Sequence, residues 1–185
     1  MFYVANSKII DKCPSHLIPI LINAGRAFGT GEHATTKGCL NMLSQIKKEP
    51  RKILDVGTGS GVLAIAAKKL WPKAEIIGTD IDEIALEVAR ENSKINNAEI
   101  NFRVSYDVKE ELNNYDLILS NILAKPLIGM SADFYNMLSL NGLIIISGFI
   151  ERQMEEVSNT YNSKGFILAS LEADEEWRIL SFAKN

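Results

Sequence analysis

Ile53-Leu54-Asp55-Val56-Gly57-Thr58-Gly59-Ser60-Gly61 runs from an apolar strand into a glycine-rich turn, and Val62–Leu70 behind it reads as a buried helix rich in alanine and leucine. Glycines in such a turn let the backbone bend sharply and let a ligand approach it closely. The helix start behind them presents backbone N–H groups with no helical partner. The spacing is GxGxG, and Val62 stands where a dinucleotide-binding fingerprint has Gly or Ala.

Working outward, strand and helix patterns alternate. Glu75–Thr79 reads as a second strand, and Asp82–Ile95 as a helix with Ile84, Val88 and Ile95 on one face and Asp82 as its N-cap. Asn101–Val104 and Tyr115–Asn121 are expected as the third and fourth strands. A helix over Leu127–Leu138, a strand over Leu143–Ser147 and a helix over Glu151–Asn162 follow. Phe166–Leu171 and Trp177–Phe182 close the chain as an antiparallel hairpin. Before the glycine turn, Thr35–Ile46 reads as a helix preceded by the loop Ala27–Thr36. Phe2–Ala5 and Leu17–Asn23 form an entry hairpin or a pair of short strands around the turn-like Asp11–Ser15. The implied fold is α/β and Rossmann-like, a mostly parallel seven-stranded sheet covered on both faces, with a C-terminal antiparallel hairpin. Ligands bind such sheets outside the carboxyl ends of the strands, so function is sought there.

Bulk properties narrow the classes. The 185 residues suit one domain with a real core, 46% hydrophobic and 23% charged. No apolar run reaches the roughly 18–20 residues needed to span a bilayer, and MFYVANSKII lacks a signal-peptide pattern, so a cytoplasmic, membrane-free protein is expected. Cys13 and Cys39 form no CxxC pair, and with only His16 and His33 beside them no metal site is expected. A net charge of −3, from 20 basic and 23 acidic residues, argues against direct nucleic-acid binding.

Three positions carry the chemistry. Asp55, just before the glycines, is a placement more typical of methyltransferases than of dinucleotide enzymes. Asp80 ends the second strand 23 residues after Gly57, where a carboxylate accepts both ribose hydroxyls of an adenosine-containing cofactor. The competing reading, a helix cap, falls better to Asp82. Asn121 ends the fourth strand beside the glycine loop; a plain turn former is the alternative, and the Asn-Pro-Pro-Tyr of amino methyltransferases is not matched, because Asn-Ile-Leu-Ala stands here.

Taken together the chain resembles the ribosomal protein L11 methyltransferase family, PrmA. The resemblance rests on Ala27-Phe28-Gly29-Thr30-Gly31-Glu32-His33-Ala34-Thr35-Thr36, Leu54–Gly61, Asp80-Ile81-Asp82, Asn121-Ile122-Leu123-Ala124-Lys125-Pro126-Leu127 and Ser147-Gly148-Phe149-Ile150, with Glu176-Trp177 near the end. It implies a class I S-adenosylmethionine-dependent methyltransferase fold, with cofactor contacts at Thr36, Asp55, Gly57, Gly59, Asp80 and Asn121 and in the loop at Phe28, Gly29 and Thr30. Asn121 is the catalytic candidate, orienting an amine acceptor on a large-subunit ribosomal protein, either a lysine side chain or an N-terminal α-amine. His33 is the one tempting general base. Ala34 departs from the family's usual proline. Family members carry an N-terminal recognition domain, and this chain is expected to lack it: entry strands over 1–30 lead into a methyltransferase domain over 31–185, acting as a monomer. A different protein or small-molecule acceptor, a cofactor-binding remnant, a nicotinamide oxidoreductase and a nucleic-acid methyltransferase stand as alternatives.

Overall fold

The computed structural model describes residues 2–23, 33–104 and 114–185. Its centre is a seven-stranded sheet. One half holds β3 (Lys52–Val56), β4 (Glu75–Asp80) and β5 (Asn101–Val104); the other holds β6 (Tyr115–Asn121), β7 (Leu138–Ile150), β8 (Phe166–Asp174) and β9 (Trp177–Lys184). The spatial order is β5-β4-β3-β6-β7-β9-β8. The five strands from β5 to β7 are parallel, and β9 inserts antiparallel between β7 and β8. The sheet reverses its winding between β3 and β6, so a crevice opens at their carboxyl ends.

Two apolar layers cover the sheet. On one face, α1 (Ala34–Gln45) and α2 (Val62–Leu70) pack Cys39, Leu43, Leu63 and Ile65 against Ile53, Leu117 and Ile145. On the other, α4 (Ala124–Gly129), α5 (Ser131–Met137) and α6 (Glu151–Ser163) bury Leu127, Phe134, Val157 and Tyr161 against Leu54, Ile118, Ile144 and Phe182. Strands buried on both faces must be apolar at successive positions, which is why Leu117-Ile118-Leu119 and Ile144-Ile145-Ile146 run without alternation.

Four local expectations are corrected. The entry strands β1 (Phe2–Ala5) and β2 (Ile18–Leu21) pair in parallel, Phe2 with Ile18 through Ala5 with Leu21, and so form no hairpin. Residues 6–17, with a 3-10 turn at Ile10–Lys12, supply the return of about a dozen residues that parallel pairing requires. The helix α3 (Glu83–Ile95) is capped by Asp82, whose side chain accepts from the Ile84 N–H, as expected. Its predicted apolar face is largely outward, however: Ile84 is 47% and Ile95 41% exposed and Val88 is half-buried, while Ala85, Leu86, Ala89, Asn92 and Ser93 are buried. Small residues let α3 approach the glycine turn, with the Ala89 Cβ 3.2 Å from where a Cβ on Gly61 would sit.

The helix expected over Leu127–Leu138 is two helices. Pro126 is accommodated because it lies in the first turn of α4, where the N–H has no helical partner anyway. The two helices meet at Met130, and the Ser131 hydroxyl donates to the Ile128 carbonyl at 2.8 Å across the junction. Finally, β7 starts earlier than expected. Leu138 pairs with Tyr115 and Leu143 with Leu117, and the residues between bulge out around Asn141, at φ +62°.

Candidate active site

A cavity of about 600 Å³ lies at the reversal point of the sheet, within the range of small-molecule and cofactor sites. Its walls come from the ends of β3, β4, β6 and β7 and from the start of α1.

The glycine turn forms the floor. The N–H groups of Gly57 and Thr58 both donate to the Thr79 carbonyl, at 2.8 and 2.9 Å, tying the turn to the end of β4. Gly57 sits at φ +71°, and a Cβ on it would lie 2.2 Å from Ile122 Cγ2. Backbone conformation and space therefore both demand glycine there. Gly148, at φ +97°, meets the same neighbour from the other side: a Cβ would lie 2.1 Å from the Ile122 carbonyl oxygen and 2.9 Å from its nitrogen. Ile122 is thus wedged between two glycines, and this fixes the backbone that carries Asn121.

Asp80 lines the cavity. Its Oδ2 accepts from the Gly59 N–H at 2.9 Å and its Oδ1 from the Asp82 N–H at 3.1 Å. Each oxygen keeps acceptor capacity, since a carboxylate offers about four lone-pair sites. The helix-cap role belongs to Asp82, so the Asp80 carboxylate is held in place by two backbone N–H groups and faces the cavity.

Asp55, expected among the cofactor contacts, sits one residue before the end of β3. It is buried beneath the glycine turn and is not among the cavity-lining residues. Its Oδ2 accepts from the Thr58 hydroxyl at 2.6 Å and the Ala64 N–H at 3.2 Å, while Oδ1 has no hydrogen-bond partner among the described residues. Burial pushes its pKa up from 3.8 to about 7, against the opposing pull of those two donors. Asp55 braces the turn from below.

Asn121 and Thr36 meet across the cavity wall. The Asn121 amide nitrogen donates to the Thr36 hydroxyl at 3.4 Å, and its carbonyl oxygen, buried, has no partner among the described residues. Such an acceptor costs about 1–3 kcal/mol unless a ligand supplies a donor. Both residues line the cavity. Thr36 is carried there by α1, whose N-cap is His33: the His33 Nδ1 accepts from the Thr35 N–H at 3.4 Å and lies 2.8 Å from the Thr35 hydroxyl. That engages His33 in holding the helix start rather than leaving it as a ready base. Phe28, Gly29 and Thr30 lie outside the described residues.

Sequence reasoning assigned no role to several cavity residues. Trp177 lines the wall and packs edge-on against His33 at 4.8 Å. It is held by the nearly buried Arg178, whose guanidinium donates to the Glu175 and Trp177 carbonyls at 2.9 Å each and pairs with the Glu151 carboxylate at 2.7 Å. Ile81, Ile122, Leu123, Pro126 and Met130 make the remaining wall apolar. Leu123 and Ile81 are 72% and 69% exposed, unusual for large apolar side chains in succession with site residues. Their neighbourhood to Asn121 and Asp80 in sequence was the available signal.

These features suit an adenosyl group: a paired-off but unsaturated carboxylate at the end of β4, glycine backbone at the end of β3, and an unpartnered amide oxygen at the end of β6. The fold is that of the class I S-adenosylmethionine-dependent methyltransferases. The model of the Ribosomal protein L11 methyltransferase (PrmA) family matches residues 3–185, and the chain belongs to that family. It is 42% identical over 172 residues to the Ribosomal protein L11 methyltransferase of Allorhizobium ampelinum, covering 89% of this chain and 59% of that protein. It is 38% identical over 161 residues to that of Dictyoglomus turgidum, covering 86% of this chain and 53% of the relative. The chain thus spans little more than half the length of these relatives. The crystal structure of a ribosomal protein L11 methylase from Lactobacillus delbrueckii subsp. bulgaricus superposes with a TM-score of 0.82 at 29% identity, covering 90% of this chain and 86% of that one.

Proposed function

We propose that this chain binds S-adenosylmethionine and transfers its methyl group to an amine of a large-subunit ribosomal protein, the L11 protein named for its relatives being the first candidate. The observation that carries the reading is the Asn121 carbonyl oxygen, buried and unpartnered where β6 ends beside the glycine turn.

The cofactor's sulfonium supplies an activated methyl group, so the protein's task is alignment. Asp80 is placed to accept from ribose hydroxyls, and the Gly57–Gly59 backbone gives the cofactor close approach. Thr36 holds the Asn121 amide by accepting from its nitrogen, so that the carbonyl oxygen keeps its acceptor capacity. An attacking amine must be neutral, whereas a free lysine has a pKa of about 10.4. The apolar wall of Ile122, Leu123, Met130 and Trp177 disfavours the charged ammonium by desolvation. The Asn121 oxygen then accepts an N–H of the neutral amine and turns its lone pair toward the methyl group. No side chain need act as a dedicated base, since the proton can leave before the amine is desolvated. A methyltransferase of ribosomal proteins would work where ribosomes are made, in the cytoplasm; among the described residues no helix is long and apolar enough to cross a membrane.

The test is transfer of labelled methyl from S-adenosylmethionine to unmethylated ribosomal protein L11, read by intact mass. Asn121→Ala is expected to lower turnover about 100-fold while changing cofactor Kd less than about threefold, as befits a group acting mainly on the transferring geometry. Equal turnover by the variant would remove Asn121 from the mechanism. Cofactor binding without transfer to L11 would redirect the search to another acceptor.

A further inference from the structure

The buried face of α3 and its C-cap carry two asparagines four residues apart, Asn92 and Asn96, 0% and 8% exposed. Asparagine is a weak helix former, and a buried amide is costly unless its hydrogen bonds are made. Both are made, to different ends. Asn96 treats β2 as a neighbouring strand would: its Oδ1 accepts from the Leu21 N–H at 3.0 Å and its Nδ2 donates to the Leu21 carbonyl at 2.6 Å. Asn92 divides its amide between two separate segments. Its Nδ2 donates to the Ser60 carbonyl at 2.9 Å, inside the glycine turn, and its Oδ1 accepts from the Asn23 N–H at 3.0 Å, at the end of the entry segment.

Ser60 lies next to Gly59, whose N–H holds Asp80. Asn23 is joined by residues 24–32 to His33, the cap of the helix that carries Thr36 to Asn121. One side chain, itself absent from the cavity wall, therefore ties the ribose-facing half of the site to the chain that leads into the methyl-facing half. The geometry points to Asn92 as a positioning residue: it couples the glycine turn to the entry segment, so that cofactor seated on the turn also holds the end of that segment at Asn23. This inference rests on the proposed cofactor reading of the cavity.

Calorimetry with S-adenosylmethionine on the whole chain tests it, run at a temperature where each variant is folded by circular dichroism. A wild-type chain that binds no cofactor would fail the proposed function itself, before any variant is read. Given wild-type binding, Asn92→Asp keeps the acceptor for Asn23 but presents an oxygen to the Ser60 carbonyl. It is expected to raise the cofactor Kd about tenfold. Asn96→Ala releases Leu21 and the Asn92 carbonyl but leaves the Asn92 side chain's bonds to Ser60 and Asn23 in place, and is expected to lower stability while leaving Kd within twofold. A merely structural role for Asn92 would make the two variants alike, both losing stability and neither losing affinity, and that result overturns the inference. Should Asn92→Asp fail to fold, hydrogen exchange on the wild-type chain decides. Cofactor is expected to slow exchange of the Asn23 amide at least threefold together with the amides of the glycine turn. Unchanged Asn23 exchange overturns the coupling.

Discussion

The two ends of the central strands are built to opposite rules. At the amino ends of β3 and β6, the Asp116 carboxylate is spent on the protein itself: Oδ2 accepts from the Arg51 and Lys52 N–H groups at 2.8 and 3.1 Å, and Oδ1 from the Ser139 hydroxyl at 3.4 Å. At the carboxyl ends of the parallel strands, polar atoms are held in place but left open. Asp80 keeps acceptor capacity, the Asn121 oxygen has no partner among the described residues, and two glycines in left-handed conformations crowd Ile122. A sheet has two polar edges, and which one faces a ligand is told by where hydrogen-bonding capacity is left over rather than by where polar residues lie. Tyr115 shows the limit of the rule: its hydroxyl, in the strand whose start holds Asp116, is also buried without a partner among the described residues, under a Lys52 ammonium 5.1 Å from the ring centre.

The contrast is broken most severely at Gly148. In Gly148→Ala the new methyl must displace the Ile122 backbone and adopt φ near +97°. The expected cost is about 4–5 kcal/mol in denaturant titration, at the far end of single substitutions, with methyl transfer lost even where the chain remains folded. Near-normal stability and transfer would mean that the Ile122 wedge does not set the site.

Asp55 comes next, and its effect has a direction in pH. Burial raises its folded pKa from 3.8 to about 7, so between those values the folded chain holds a proton that the unfolded chain has released. Stability from this group is fully present below pH about 4 and is lost as pH rises through 7, by at most about 4 kcal/mol. Asp55→Asn is expected to flatten that slope while its side-chain oxygen still accepts from Thr58. A wild-type stability curve that does not fall across this window relative to the variant would contradict the brace. The smallest change is Tyr115→Phe. Removing an unpartnered buried hydroxyl is expected to leave stability within about 0.5 kcal/mol or raise it slightly; a loss of 1 kcal/mol or more in denaturant titration would show that the hydroxyl has a partner after all.

Features that mark the pattern were legible in the sequence, and those set by local fit or path were not. The limits of α2 and β6 were read correctly because Gly61 and Asn114-Tyr115 mark sharp changes of pattern around continuous apolar runs. Asp80 and Asn121 were legible because strand ends in a parallel sheet converge. The face of α3 was misread because size was taken for burial. Isoleucines mark a core only where there is room for them, and here the neighbouring glycine turn admits Ala89 and a bonded Asn92 instead. The one-residue step at Met130 between α4 and α5 and the parallel pairing of β1 with β2 are both set by the local path of the backbone. Neither leaves a periodic trace.

The central claim is that the carboxyl ends of the strands bind S-adenosylmethionine and the amino ends do not. Calorimetry on three chains tests it most directly: wild type, Asp80→Ala and Asp116→Ala. The account predicts binding by the wild type, a cofactor Kd raised at least about tenfold in Asp80→Ala through loss of the ribose acceptor, and an unchanged Kd in Asp116→Ala with stability lowered by about 1–3 kcal/mol. Equal affinity in the wild type and Asp80→Ala, or loss of affinity in Asp116→Ala alone, would contradict it.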